Sequence, residues 1–116
     1  MDRKIGQVMV VGGGIAGVQC ALDLADSGFK VYLVERKPAI GGVMSQLDKT
    51  FPTNDCSMCI LSPKLVEVGR NPMITLMTMS EVAKVEGDAP DFEVTIRRNP
   101  RYVDEDKCVG CGLCAE

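Results

Sequence analysis

The chain has 116 residues, of which 46% are hydrophobic and 25% charged, and its formal net charge is −3 with a pI near 5.0. This balance offers no basic surface for phosphate backbones and argues against a nucleic-acid partner, and no apolar run reaches the roughly 18 residues that suggest a membrane span. Histidine is absent, which excludes the Ser-His-Asp triad, the Cys-His nucleophile and zinc sites of mixed Cys and His ligands.

The first predicted elements are a strand, a helix and a second strand. Gln7–Val11 is an apolar run without polar alternation, typical of a strand that is covered on both faces. Helical spacing of apolar residues predicts a helix over Ile15–Ser27, with Cys20 in its core face and Gly28 placed where a helix end requires positive φ. Lys30–Glu35 reads as a second, β-branched strand. This order predicts an α/β protein built on a Rossmann-like βαβ unit with parallel strands.

The next segment is expected to begin as a long loop and to end in a short helix. Residues 36–61 contain several Pro and Gly residues, and connections of this length without secondary structure are usually functional. Ser62 is a candidate N-cap and Pro63 suits the first helical position, so a short helix is predicted over Lys64–Val68.

The remaining regular structure is predicted to be a strand and a hairpin. Met73–Met79 has the composition of a strand, and the segments Glu81–Val85 and Phe92–Arg98 follow it. Residues 87–90, Gly-Asp-Ala-Pro, separate these two segments and are typical of a turn. A β-hairpin is therefore expected after the βαβ unit.

A glycine-rich turn lies between the first strand and the first helix. Gly12, Gly14 and Gly17 form a G-x-G-x-x-G pattern, in which glycine permits a tight turn, close approach of a pyrophosphate and close packing of helix on strand. The backbone amides around Ile15 and Ala16 would face the phosphates at the helix N-terminus. The pattern is weak alone, but its position between strand and helix is the one that the mechanism requires.

An acidic residue and a second glycine pair extend this motif. Glu35 ends the second predicted strand and is followed by Arg36. At this position the Glu35 carboxylate can accept hydrogen bonds from a ribose. The alternative is a turn that binds nothing and a solvated Glu35. Gly41 and Gly42 form a second small-residue bend suited to the flavin side of a pyrophosphate, although an ordinary loop turn is also possible. A glutamate followed by such a pair resembles the FAD-binding half of flavoproteins of the disulfide-reductase class, which favours FAD over NAD.

Six cysteines fall mainly in two clusters, and no secretory signal is evident. Clustered thiols without export favour metal binding or redox chemistry in the cytoplasm. Cys108, Cys111 and Cys114 form C-x-x-C-x-x-C, a spacing that can wrap a [4Fe-4S] cluster and that continues to a fourth cysteine in bacterial-type ferredoxins. The sequence stops two residues after the third cysteine, which suggests a fragment cut within a ferredoxin motif. Structural zinc and inert thiols are the alternatives.

The second cluster is Cys56 and Cys59, a C-x-x-C in the segment FPTNDCSMCILSPK. Two thiols at this spacing can form a redox disulfide or hold two corners of a metal site. The alternatives are a pair of buried small hydrophobes or an unpaired loop thiol.

Three segments together resemble a known family: VVGGGIAGVQCALDLADSGFKVYLVERKPAIGG, LDKTFPTNDCSMCILSPKLVEV and RYVDEDKCVGCGLC. They are similar to the FAD-containing A subunit of CoB-CoM heterodisulfide reductase and its bacterial relatives, and F-P-T-x-D-C-x-x-C is the most specific part of the match. The resemblance implies a thioredoxin-reductase-like flavoprotein interrupted by an inserted ferredoxin domain. On this basis residues 1–100 are a partial FAD-binding domain and residues 101–116 begin the ferredoxin-type domain.

The resemblance also implies the cofactors and the activity. FAD and a 4Fe-4S cluster are expected, the cluster being held by the cysteines of the C-terminal motif. The protein would be an electron-transfer subunit of a kind that can be electron-bifurcating. It would work with other heterodisulfide reductase-like subunits, with a donor such as a hydrogenase or formate dehydrogenase, and with ferredoxin. Two alternatives remain: an FAD-dependent dithiol reductase that uses Cys56 and Cys59, and a non-catalytic module with structural zinc.

Overall fold

The computed structural model describes residues 6–89 and 91–116. Its elements in chain order are β1 Gln7–Val11, α1 Ile15–Asp26, β2 Lys30–Val34, a 3₁₀ turn Met44–Gln46, β3 Lys49–Thr50, β4 Asp55–Cys56, α2 Ser57–Arg70, β5 Ile74–Met77, β6 Ser80–Asp88, β7 Asp91–Arg98 and a 3₁₀ turn Leu113–Ala115.

The central feature is a parallel sheet with strand order β1-β2-β5. Strand β2 lies in the middle: Gln7 to Val11 pair with Lys30 to Val34, and Val31 to Val34 pair with Ile74 to Met77. The chain therefore forms a βαβαβ unit, the mononucleotide-binding half of a Rossmann-like fold. This confirms the predicted α/β class. The strand predicted over Met73–Met79 is β5, the third parallel strand, and the second helix, α2, is longer than predicted.

The core lies between the sheet and the two helices. On β2, Val31 and Leu33 are fully buried, as expected for the central strand of a parallel sheet. Burial of each large aliphatic side chain stabilises the fold by about 1.5–3 kcal/mol. The buried cluster consists of Val18, Ala21, Leu22, Ala25, Val31, Leu33, Val68 and Ile74.

Helix α1 ends as its sequence predicts. Gly28 has φ +92°, its amide donates to the Ala25 carbonyl at 3.0 Å, and the Phe29 amide donates to the Leu24 carbonyl at 3.1 Å. These two bonds form a Schellman motif, in which glycine adopts the left-handed conformation without strain. The prediction for Cys20 is wrong, because its side chain is exposed. The buried stripe of α1 instead has the spacing 18, 21, 22 and 25.

Helix α2 differs most from expectation. It begins at Ser57 with Cys56 as its N-cap, whereas the sequence predicted a loop through Leu61 and a helix capped by Ser62. Pro63 lies inside the helix, although proline usually interrupts one. The reason is burial: Ser57 and Leu61 are both fully buried, so packing in the turn that precedes Pro63 holds that turn helical.

The predicted hairpin is confirmed. Strands β6 and β7 pair antiparallel from Ser80 with Arg98 to Asp88 with Asp91, with a register shift between Val82 and Lys84. The strands are longer than predicted, so Gly87 lies within β6 at φ +93°. Pro90, the last residue of the predicted turn, lies outside the described residues. Within the described part of the chain, no helix is long and apolar enough to span a bilayer.

Candidate functional site: a two-loop nucleotide cradle

The first glycine loop joins β1 to α1 at the carboxyl edge of the sheet. Gly12 has φ +109°, a conformation that favours glycine, and its amide donates to the Val34 carbonyl at 2.7 Å. A Cβ on Gly17 would overlap the carbonyl oxygen of Gly12. The first and third glycines therefore allow α1 to begin in direct contact with the end of β1.

The N-terminus of α1 is open. Gly14 is its N-cap in an extended conformation and, as a glycine, has no side chain to cap the helix. The amide of Val18 donates to the Gly14 carbonyl at 2.9 Å, which begins the helical bonding. The amides of Ile15, Ala16 and Gly17 precede it and have no partner within a helix. They form an uncapped positive end suited to a phosphate group.

The second glycine loop packs against the first. The Gly41 amide donates to the Gly13 carbonyl at 2.7 Å. Gly42 has φ +58°, and a Cβ there would come within 2.9 Å of the Gly14 Cα. The Ser45 hydroxyl donates to the Gly42 carbonyl at 2.7 Å and fixes the bend. The structure thus brings the two predicted glycine groups together into one cradle of backbone atoms.

Glu35 lies beside this cradle. Its Oε2 accepts a hydrogen bond from the Gly13 amide, and its Oε1 accepts one from the Lys37 amide at 3.1 Å. The side chain is half-buried, whereas Arg36 is exposed. The carboxylate is therefore oriented by two amides at the end of β2, next to the glycine turn.

A cavity of about 430 Å³ opens at this edge of the sheet. One side is formed by the carboxyl ends of β1 and β2 together with Glu35 and Arg36. The other side is formed by Ser80, Glu81 and Val82 of β6, which the sequence did not single out. The only sequence signal for this second wall is that the hairpin follows β5 after a two-residue link, which returns the chain to the same edge.

The geometry of this region fits a dinucleotide such as FAD. An added methyl group would collide with backbone at Gly17 and would crowd it at Gly42, so both positions require glycine for the cradle to exist. The uncapped end of α1, the oriented carboxylate and the cavity lie around that cradle. A dinucleotide suits this arrangement, because its pyrophosphate needs amide donors and its ribose needs an acceptor.

Cys56 and Cys59 form a disulfide with a Cα–Cα distance of 5.2 Å at the start of α2. The Cys56 sulfur also accepts a hydrogen bond from the Cys59 amide at 3.2 Å, so it caps the helix. Both residues are exposed and bonded to each other, so in this structure they are neither buried hydrophobes nor unpaired thiols. They are bonded to each other rather than contributing a ligand to the C-terminal cysteine motif.

Cys108, Cys111 and Cys114 are free and exposed, in a segment whose one regular element is a short 3₁₀ turn. Gly110 and Gly112 have positive φ, which curves the chain between the thiols. Within residues 6–89 and 91–116, no three potential ligands are gathered for a metal ion. As a donor set, three free thiols at this spacing fit three of the four ligands of a [4Fe-4S] cluster.

Known protein families match two parts of the chain. Residues 7–60 match the family described as FAD dependent oxidoreductase, and residues 101–116 match the 4Fe-4S binding domain. These matches confirm the predicted cofactors, FAD and a 4Fe-4S cluster.

Solved structures share the fold. L-proline dehydrogenase from P. horikoshii superposes with a TM-score of 0.65 at 25% identity, over 84% of this chain and 20% of that one. A FAD-dependent pyridine nucleotide-disulphide oxidoreductase from Desulfovibrio vulgaris superposes with a TM-score of 0.54 at 21% identity, over 80% of this chain and 21% of that one. The Rossmann-like interpretation of the sheet is therefore confirmed.

Curated relatives match at high identity. One iron-sulfur A subunit of the CoB-CoM heterodisulfide reductase of Methanopyrus kandleri is 63% identical over 94% of this chain, which spans 16% of that protein's length. The A subunit of the H(2):CoB-CoM heterodisulfide,ferredoxin reductase of Methanothermobacter thermautotrophicus is 59% identical over 95% of this chain and 17% of its own length. The chain therefore belongs to the family of the heterodisulfide reductase A subunits.

Proposed function

We propose that this chain supplies the dinucleotide cradle and the first cluster ligands of an FAD- and iron-sulfur-dependent electron-transfer subunit. The observation that carries the proposal is the meeting of two glycine loops at the open end of α1 beside Glu35, in a chain that continues into a three-cysteine motif. Bound FAD exchanges electron pairs and a bound cluster exchanges single electrons, so a protein that holds both can convert one into the other.

Each part of the cradle has a role in this proposal. Gly12, Gly14 and Gly17 allow close approach of the pyrophosphate, and the amides of Ile15 and Ala16 donate to its oxygens. Binding there depends on fixed backbone donors, so it requires no side-chain reorganisation.

The residues that flank this glycine turn contact the two ends of the ligand. Glu35, with Arg36 at the rim, accepts hydrogen bonds from the adenosine ribose, and the adjoining cavity takes the adenosine. Gly41 and Gly42 border the flavin side of the pyrophosphate. Ser45 supports that side through its bond to Gly42.

Glu35 supplies a direct test of the adenosine assignment. Glu35→Gln keeps the shape and one oxygen acceptor but removes the charge. Hydrogen bonds to charged groups contribute about 1.5–3 kcal/mol, so we expect the FAD dissociation constant of the intact protein to rise on the order of 10- to 100-fold. Titration of the flavin-free protein with FAD, followed by fluorescence, measures this. The matched control is Glu86→Gln, whose exposed carboxylate on the hairpin pairs with Lys84; equal weakening in both variants would contradict the assignment.

Cys108, Cys111 and Cys114 are proposed as cluster ligands. Three thiolates leave one of the four irons without a protein ligand, so a further ligand is required. The family match at residues 101–116 favours iron and sulfide over structural zinc. Anaerobic purification of the intact protein followed by metal analysis tests this choice, because zinc without acid-labile sulfide would reject it.

The activity of the intact protein is inferred from its relatives. The names of two relatives include H(2) or H(2)/formate together with CoB-CoM heterodisulfide and ferredoxin. By analogy, the protein would act with other heterodisulfide reductase-like subunits, with a hydrogenase or formate dehydrogenase as electron donor, and with ferredoxin as one acceptor. We place the domain boundary between residues 100 and 101, and the protein in the cytoplasm, where clustered thiols stay reduced.

A second function is favoured by one observation. The Cys56–Cys59 disulfide lies at the N-terminus of α2, where the helix dipole stabilises the thiolate needed for dithiol exchange. The intact protein would then act as an FAD-dependent dithiol reductase.

Serine replacement of both cysteines tests this alternative. Serine is a good N-cap, so Cys56→Ser should preserve the start of α2. If the disulfide is the exchanging pair, the double variant Cys56→Ser/Cys59→Ser loses dithiol turnover while keeping its flavin. Cys20→Ser is the control, since Cys20 is a free, exposed thiol on α1. Unchanged dithiol turnover in the double variant would reject the second function.

A further inference from the structure

One side chain connects the cysteine segment to the nucleotide cradle. Arg101 Nη2 donates to the Pro38 carbonyl at 3.0 Å and to Thr78 Oγ1, and its Nε pairs with Glu105. The Arg101 side chain is 27% exposed, whereas Lys84 and Lys107, the basic partners of the other two ion pairs within residues 6–89 and 91–116, are 64% and 85% exposed. Among the described residues, Arg101 makes every hydrogen bond between residues 100–116 and the rest of the chain.

The Arg101 acceptors on the sheet side belong to the cradle region. Pro38 lies in the loop that starts at Glu35 and leads to the second glycine pair. The same loop is tied to the end of β5, because the Met79 amide donates to the Lys37 carbonyl at 3.1 Å. Thr78 directly follows β5. One guanidinium therefore bridges the two segments that lead from the carboxyl ends of β2 and β5.

The acceptor on the other side belongs to the turn that carries the first cysteine. Glu105 lies within a turn in which the amides of Lys107 and Cys108 donate to the Asp104 carbonyl at 3.2 and 2.9 Å. The Asp106 amide donates to the Asp104 side chain at 3.1 Å. Cys108 is thus part of a hydrogen-bonded turn that the Arg101–Glu105 pair connects to the cradle.

We propose that Arg101 is a positioning residue that fixes the cysteine segment against the loop leading from Glu35 to Gly41 and Gly42, and so sets the distance between flavin and cluster. This inference rests on the proposed function. One electron leaves the reduced flavin and enters the oxidised cluster, and no bond forms or breaks. Because the rate of such a transfer falls steeply with distance, a mobile cysteine segment would slow it even with both cofactors bound. The planar guanidinium suits this role, since its fixed donors reach all three acceptors at once.

The test uses the intact protein purified anaerobically, with the variants Arg101→Gln, Arg101→Lys and, as control, Arg97→Gln. Arg97 is an exposed arginine on β7. Flavin and iron contents are measured first. Photoreduction of the flavin with EDTA as electron donor then gives the rate of cluster reduction, and electron paramagnetic resonance gives the magnetic coupling between reduced cluster and flavin radical.

We expect full flavin and iron in Arg101→Gln, a rate of cluster reduction lower on the order of tenfold or more, and a weaker, more heterogeneous magnetic coupling. Arg101→Lys should be intermediate, because an ammonium cannot reproduce the fork of donors. Arg97→Gln should match the wild type. Wild-type rate and coupling in Arg101→Gln would overturn the inference, and so would loss of iron, which would make Arg101 an assembly residue.

Thr78→Val gives a second, milder variant that leaves Arg101 in place. It removes one acceptor, and we expect a smaller decrease in rate with unchanged cofactor content; an unchanged rate would count against the proposal.

Hydrogen exchange of the 104–108 turn in the cofactor-free protein adds a readout that does not depend on activity, and we expect faster exchange in Arg101→Gln. A wild-type protein that contains no flavin or iron would refute the proposed function itself. If both cofactors are present and Arg101→Gln changes neither the rate of cluster reduction nor the magnetic coupling, only the positioning role is refuted.

Discussion

Gly17→Ala should abolish stoichiometric flavin binding in the intact protein. The new methyl group would overlap the Gly12 carbonyl oxygen, which is backbone and cannot rotate away, so the start of α1 must move off the end of β1. Overpacking of this kind typically costs about 1–3 kcal/mol of stability. The same movement displaces the amides of Ile15 and Ala16 from the phosphate position. Flavin absorbance per polypeptide and the thermal melting temperature measure both effects.

Gly69→Ala is the matched control for this variant. Gly69 lies in α2, and a Cβ there meets nothing within 4 Å. Alanine is favoured over glycine by about 1 kcal/mol in a helix interior, and Gly69 is the penultimate residue of α2, so we expect equal or slightly higher stability and full flavin content. A Gly17→Ala protein that melts lower but keeps its flavin would separate stability from binding. That result would contradict the role given to the open end of α1.

The sequence predicted the cradle because its signals are local. Gly12, Gly14 and Gly17 follow a strand directly, and Glu35 follows the next one, so topology alone brings them to one edge of the sheet. The sequence assigned Gly14 and Gly42 to the same ligand site, but it could not predict that they touch. Their contact depends on the path of the loop through residues 36–40, and that loop carries no periodic signal.

The sequence misled where packing overrides a local preference. Pro63 is a strong helix-start signal, yet α2 begins six residues earlier because the turn before it is buried at Ser57 and Leu61. The helical spacing of Leu61, Leu65 and Val68 is the signal that could have extended the predicted helix toward its N-terminus, and the prediction did not use it.

The second wall of the cavity was not predictable from the residues that form it. Ser80, Glu81 and Val82 carry no motif, and they reach the cavity only because the hairpin returns to the carboxyl edge of the sheet. The contacts of Arg101 could not be predicted for the same reason, since its acceptors Pro38 and Thr78 are distant in sequence. Contacts of this kind depend on tertiary structure and leave no local pattern.

The second prediction with a large expected effect is the loss of iron when a cysteine of the C-terminal motif is replaced. We expect serine at Cys108, Cys111 or Cys114 to remove the cluster that begins at this motif, because an alcohol is a far poorer ligand for iron than a thiolate. The loss should be about four irons and four acid-labile sulfides per polypeptide, with flavin retained, since the cradle lies in another part of the chain. Metal analysis, sulfide analysis and visible absorbance of the anaerobically purified intact protein measure this.

Two controls separate ligation from general thiol damage. Cys20→Ser removes another free, exposed thiol and should leave the iron content at the wild-type value. Cys56→Ser/Cys59→Ser removes the disulfide pair; retained iron there would show that this pair does not complete the cluster, in agreement with their bonding to each other. Equal iron in wild type and Cys111→Ser would contradict the ligand assignment, because Cys111 is the central thiol of the motif and no neighbouring residue can replace it at that spacing.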